Sequence, residues 1–247
     1  MKRLAIFLLL TLAACAAPPS ASERVTVLSA GAVETGLQAA LELYGKSSGR
    51  NVAALYNTAP QIRERIAKGE QYDVVVVPPA ALEALRKEGK AGGESVLLGS
   101  VGQGVAVRAG APLPDLSSVE AMSRALREAD AVVFNRATGG QYIESMLKKI
   151  GVYGDIERKI VRYASAQQVM EHLLKGEGRE IGFAPITEIM PYTKKGLRYA
   201  GPLPDTVQQR NAYVASAMSG RADAAADLLR FLATPAARQA LADGGVQ

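Results

Sequence analysis

Apolar runs too short for helices alternate with stretches at helical spacing along most of the chain. Residues 24–28, Arg-Val-Thr-Val-Leu, predict a first strand, followed by the small-residue turn 29–32. Val33, Leu37, Ala40, Leu41 and Tyr44 then share one helical face, and a Ser-Ser-Gly turn ends at Gly49. Residues 51–56 predict a second strand. After it Pro60 is placed to open a helix carrying Ile62 and Ile66 and ending at Gly69. Residues 72–77 form a nearly continuous β-branched run, which predicts a parallel strand covered on both faces. Leu82 and Leu85 mark a further helix ending by Gly89. Three strand–helix units in succession argue for a parallel α/β sheet.

The pattern changes at 97–104, where Gly99, Gly102 and Gly104 punctuate an extended run, and a crossing between lobes is expected there. Ser117 and Glu120 have capping-box spacing for a helix running to Ala129. The short apolar run 131–134 predicts a buried strand, 135–140 a polar loop, and Tyr142, Ile143, Met146, Leu147 and Ile150 a helix with Gly151 at its C-terminal end. A short strand at 161–163, a helix capped by Ser165 and Gln168 and stopped at Gly176, and a strand at 181–184 running into Pro185 complete a second α/β lobe. The tail returns to strand character at 197–199 and 213–215, with the loop 201–205 as the second crossing. Helices at 222–232 and 235–242 close the chain, with Thr234 as N-cap and Pro235 first in the last of them. The expected architecture is a two-lobed α/β protein, each lobe a mixed, mostly parallel sheet flanked by helices. Lobe 1 comprises residues 23–104 and 202–247, lobe 2 residues 105–201, and residues 1–22 precede the fold.

Those first residues read as an export signal. Met1-Lys2-Arg3 is basic and residues 4–14 are apolar apart from Thr11, a run too short to span a bilayer, which takes ~20 residues. The Leu12-Ala13-Ala14-Cys15 ending resembles a bacterial lipobox, which would make Cys15 a lipidated first residue and 17–22 a tether. Cleavage elsewhere before Ser22 would discard Cys15. It is the single cysteine in the chain, so no disulfide framework exists and stability rests on apolar cores. Without Lys2 and Arg3 the chain carries 27 basic and 24 acidic side chains. That balance is too mild to imply a nucleic-acid partner, and no Lys/Arg stripe alternates with aromatics. The mature chain is expected to be monomeric.

Enzyme constellations are thin. His172, the single histidine, sits mid-helix, so zinc and Ser-His-Asp sites lack their parts. No G-x-G-x-x-G follows the first strand and no Walker A lysine is present, so no cofactor, metal or catalytic residue is expected. Binding is the better expectation. Four strand-to-helix loops, 29–32, 57–60, 136–140 and 184–187, fall at the carboxyl ends of strands, where ligands bind in open α/β sheets and where two facing lobes make a closable cleft. The helix after Gly139-Gly140 aims amides and the positive end of its dipole at one point, with Arg136 beside it. This set is an expected anion clamp, although the glycine pair also suits an ordinary tight turn.

The chain resembles the molybdate-binding periplasmic proteins, of the type II solute-binding group. The likeness runs through residues 25–30, through Ile62, Ile66, Gly69 and Asp73, and through Arg136-Ala137-Thr138-Gly139-Gly140-Gln141-Tyr142. Gly176-Glu177 with Ile181-Gly182-Phe183, and Phe231-Leu232-Ala233-Thr234-Pro235, continue it in family order. This resemblance implies a periplasmic component of an ABC importer, with the membrane permease as partner, a small anionic solute as ligand and no cofactor. The family's serine after the first strand falls at Ala32, and its second serine at Ala59, beside Thr58. Backbone donors fall at Gly139 and the Ala166–Gln167 turn, and the family's tyrosine is replaced by Pro185. Losing hydroxyl donors to a buried charge costs about 1.5–3 kcal/mol each, unless Ser29, Thr58, Thr138 or Thr187 substitute. The candidate site is therefore Ser29, Gly31, Ala32, Thr58, Ala59, Arg136, Thr138, Gly139, Gly140, Gln167, Pro185 and Thr187. The competing function is a ligand-sensing or scaffolding lipoprotein with the same fold and no transport role.

Overall fold

The computed structural model describes residues 24–247; the signal, lipobox and tether expected at 1–22, with Cys15, lie outside the described residues. The N-terminal part runs β1 (Val25–Ala30), a 3-10 turn at Gly31–Val33, α1 (Glu34–Ser48), β2 (Val52–Asn57), α2 (Ala59–Ala67), β3 (Val74–Val77) and α3 (Pro79–Lys87). The long strand β4 (Ala91–Arg108) leads into α4 (Val119–Glu128), β5 (Ala131–Asn135), α5 (Thr138–Lys149), α6 (Tyr153–Ile156), β6 (Ile160–Tyr163), α7 (Ala166–Lys175), β7 (Glu180–Pro185) and α8 (Ile186–Thr193). The chain closes with β8 (Leu197–Pro202), β9 (Arg210–Met218), α9 (Ala222–Leu232) and α10 (Pro235–Asp243).

Hydrogen-bonded strands follow the order β2-β1-β3-β9-β4-β7-β5-β6, with β8 also on β4. β1 pairs in parallel with β2 and β3, and β5 in parallel with β6 and β7. Between these two parallel sets lie antiparallel pairs of β9 with β3 and β4, and of β4 with β7 and β8. β4 belongs to both halves. Its residues 91–102 pair with β9, and its residues 103–108 pair with β7 and β8. The four valines of β3 are fully buried, as their β-branched run predicts, but β3 has a parallel neighbour on one side and an antiparallel one on the other.

Two separate bodies of apolar packing explain the two lobes. One cluster joins β1, α1, β3 and the start of β4 to β9, α9 and α10. The others lie within β4's second half, β5, β7 and their helices. At the passage between them Gln208 clamps the Gln103 backbone, accepting from its N–H at 3.0 Å and donating to its carbonyl at 2.9 Å.

Two local expectations shift. The cap of α4 is Ser118 rather than Ser117: its hydroxyl accepts from Ala121 N at 3.1 Å, whereas the Ser117 N–H donates to Asp115. The segment after Pro185 is a helix, α8, despite Pro191 within it. Proline is tolerated at a helix start, and an eight-residue helix has few intrahelical bonds for Pro191 to remove.

Candidate functional site

The carboxyl ends of β1, β2, β5, β6 and β7 face one cavity of about 210 Å³ between the lobes. Gly31, Ala32, Thr58, Ala59, Thr138, Gly139, Gln167 and Pro185 line it; Ser29, Arg136, Gly140 and Thr187 do not.

Lobe 2 supplies open donors. The first amides of a helix have no intrahelical partner, and α5 begins on Ala137, which has no capping side chain. Its Thr138 and Gly139 amides therefore remain available at the cavity wall. The turn before them is held by Asn135, whose Oδ1 accepts from Ala137 N at 2.9 Å. α7 is capped by Ser165, which accepts from Gln168 N at 3.3 Å and leaves the Ala166 and Gln167 amides. The two glycines have different reasons. A Cβ on Gly140 would fall on the Asn135 carbonyl oxygen, so Gly140 lets the helix start against the strand end; one on Gly139 would lie 3.0 Å from the Gln103 side-chain nitrogen. That Gln103 amide is 1% exposed, and both its polar atoms lack partners.

Most of the hydroxyls named as substitutes for the missing serines are turned inward. Ser29 donates to the Ala30 carbonyl at 3.1 Å, and Thr187 donates across the lobes to the Ala32 carbonyl at 2.6 Å. The Thr58 hydroxyl and N–H both donate to Gln61 Oε1 at 2.9 Å. Thr138 alone of the four remains exposed. The Arg136 side chain is also exposed and outside the lining, while its N–H donates to the Tyr163 carbonyl at 2.9 Å. The loop thus turns Arg136 to solvent and leaves α5 amides at the cavity. Gly140 packs behind the wall rather than in it.

Four further lining residues bear on its chemistry: Glu34, Asn57, Glu188 and Tyr213. Glu188 stands in the first turn of α8, opposite Gly31, where a Cβ would meet the Glu188 carboxyl oxygen at an ordinary contact distance of 3.6 Å. Burial, and then the charge of Glu34, push the Glu188 carboxyl up to about 7. Burial also raises Glu34. Tyr213 is buried on β9, and burial with the Glu188 charge raises its phenol, so its hydroxyl stays a proton donor. Asn57 Oδ1 is buried without a partner. No lysine, arginine or histidine lines the cavity. Sequence signals for these groups were faint, because Glu188 depended on recognising α8 and Tyr213 on placing β9 beside the cleft. His172 is a packing residue, its Nδ1 3.0 Å from the Tyr163 hydroxyl. Among the described residues no cluster of potential metal ligands exists, and no helix is long and apolar enough to cross a membrane.

A family model described as bacterial extracellular solute-binding protein matches residues 25–247. An aconitate isomerase from Pseudomonas sp is 29% identical over 231 residues, covering 90% of this chain and 87% of that protein. A sulfate-binding protein from Mycobacterium tuberculosis superposes with a TM-score of 0.75 at 16% identity, covering 90% of this chain and 85% of the other. A periplasmic molybdate-binding protein from Azotobacter vinelandii gives 0.74 at 16% identity, covering 90% and 98%. The type II periplasmic binding fold expected from the sequence is the fold observed.

Proposed function

Because this chain belongs to the bacterial extracellular solute-binding proteins, we propose that it captures a small organic anion between its lobes and presents it to an ABC permease. The supporting observation is the cavity wall itself. Helix-start amides of α5 and α7 border a cleft of about 210 Å³. The inward-turned hydroxyls of Ser29, Thr58 and Thr187 leave few side-chain donors for molybdate. A carboxylate-bearing solute fits better, with its charge on lobe 2's amides. Cys15, if lipidated, holds the domain at a membrane surface through the 17–22 tether.

The test is thermal unfolding of residues 24–247 against molybdate, tungstate, sulfate, phosphate and small di- and tricarboxylates. Ligand at about 100 times its dissociation constant adds ~2.7 kcal/mol, roughly 5–11 °C for a chain of this size. Stabilisation by a carboxylate and not by molybdate is expected. The reverse result returns the ligand to the oxyanions.

One observation favours a second reading, that the cleft turns its solute over. A carboxyl near neutrality beside the Tyr213 phenol has the makings of a general acid–base pair, and the Pseudomonas relative is an isomerase. Aconitate is the first substrate to try. Either geometric isomer, incubated in heavy water with catalytic amounts of protein, would convert to the other; no conversion leaves a binding protein.

A further inference from the structure

The cavity contains an electrostatic conflict. Open helix N-termini favour an anion, yet two carboxylates, Glu34 from α1 and Glu188 from α8, line the same space with no cation among the lining residues. Both cannot stay ionised beside an anionic solute at low cost. The two stand on opposite sides of the cavity, Glu34 at the start of α1 and Glu188 at the start of α8.

We propose that Glu188 is the specificity-determining residue of this site: it enters the closed cleft as a neutral carboxylic acid and donates its proton in a hydrogen bond to a carboxylate of the solute. The ligand class is then a small acid with at least two carboxylates, one on the α5 and α7 amides and one against Glu188. This inference rests on the organic-anion reading above and adds the proton that travels with the ligand.

The surroundings fit. Glu188 is faced by Glu34 across the cleft, by Tyr213 from β9 and by Tyr192 on its own helix. None of them is a cation, and burial with the Glu34 charge opposes ionisation of Glu188. Gly31 borders the carboxyl without crowding it, and no hydrogen bond to the carboxyl contributes to its shift. The acid proton is therefore free for a ligand. An anion bound beside Glu188 raises its proton affinity further. Affinity is then level below about pH 7 and falls by up to tenfold per unit above it, with proton uptake accompanying binding.

Calorimetric titration of residues 24–247 with succinate and with tricarballylate, from about pH 6.5 to about pH 8.5, tests this. Repeating it in two buffers of different ionisation heat counts the protons. Wild type should lose affinity above the break and take up close to one proton per ligand. Glu188→Gln, an uncharged donor of similar size, should bind without the pH dependence and without proton uptake. Glu34→Gln removes the facing charge and should move the break to lower pH without abolishing it. Flat wild-type affinity, or a Glu188→Gln variant that keeps the pH dependence, overturns the role of Glu188 while leaving the organic-anion reading standing. Failure of both acids to bind at any pH removes the organic-anion reading and this inference together. Melting temperatures of both variants against wild type show whether they are folded.

Discussion

The two walls of the cleft are built from the same motif, a strand running into a helix start, yet they offer opposite chemistry. In lobe 1 the loop after β2 is closed on itself. Thr58 caps inward onto Gln61, Pro60 contributes no N–H, and α1 opens with the acid Glu34. In lobe 2 α5 begins on alanine and its early amides stay unbonded, and α7 leaves two more. Lobe 2 gives most of the open donors, while the two acids come one from each wall, Glu34 on α1 and Glu188 on α8. A strand–loop–helix pattern thus locates a wall of the site, but the residue at the N-cap decides whether that wall can hold an anion.

Substitutions can break this contrast. The largest effect is expected at Gly140. A Cβ there falls on the Asn135 carbonyl oxygen, so Gly140→Ala should cost about 3 kcal/mol and lower the melting temperature by roughly 6–12 °C, whereas Gly31→Ala, which meets only the Glu188 carboxyl at ordinary contact distance, should leave it nearly unchanged. Differential scanning calorimetry of the pair decides, and equal losses would refute the asymmetry between the walls. Next is Tyr213→Phe, which removes a buried donor. Loss of a hydrogen bond to a charged ligand costs about 1.5–3 kcal/mol, so affinity for the bound carboxylate should fall between tenfold and a hundredfold. A smaller effect is expected at Thr58→Val, which should reduce stability by about 1 kcal/mol and change ligand affinity less than about twofold, since its hydroxyl serves the cap. Arg136→Ala should be smallest. An exposed charge is screened within about 8 Å at physiological salt, and titration in that buffer should show affinity unchanged within error.

Where periodicity or a paired capping signal existed, the sequence was readable. The valine run of β3, the apolar face of α1 and the Ser165 and Thr234 caps appear as expected, because each is set by neighbours within a few residues. The chemistry of the cleft was less legible. Pro185 and Pro191 disguised α8, and with it Glu188. Tyr213 reaches the cavity through the pairing of β9 with β3 and β4, contacts separated by more than a hundred residues. Arg136 looked like a clamp because its charge was visible and its direction was not. Local signals gave the frame, while long-range pairing chose which side chains face inward.

The strand β4 carries a mechanical consequence. Its 18 residues belong to the sheets of both lobes, so the hinge is a continuous ribbon rather than a slack connector. A loop hinge can absorb an inserted residue. Here an insertion near Gln103 would throw one sheet out of phase with the other, turning every later side chain of the strand to the wrong face. The length of this segment is set from both ends, like a keel to which two hulls are fastened.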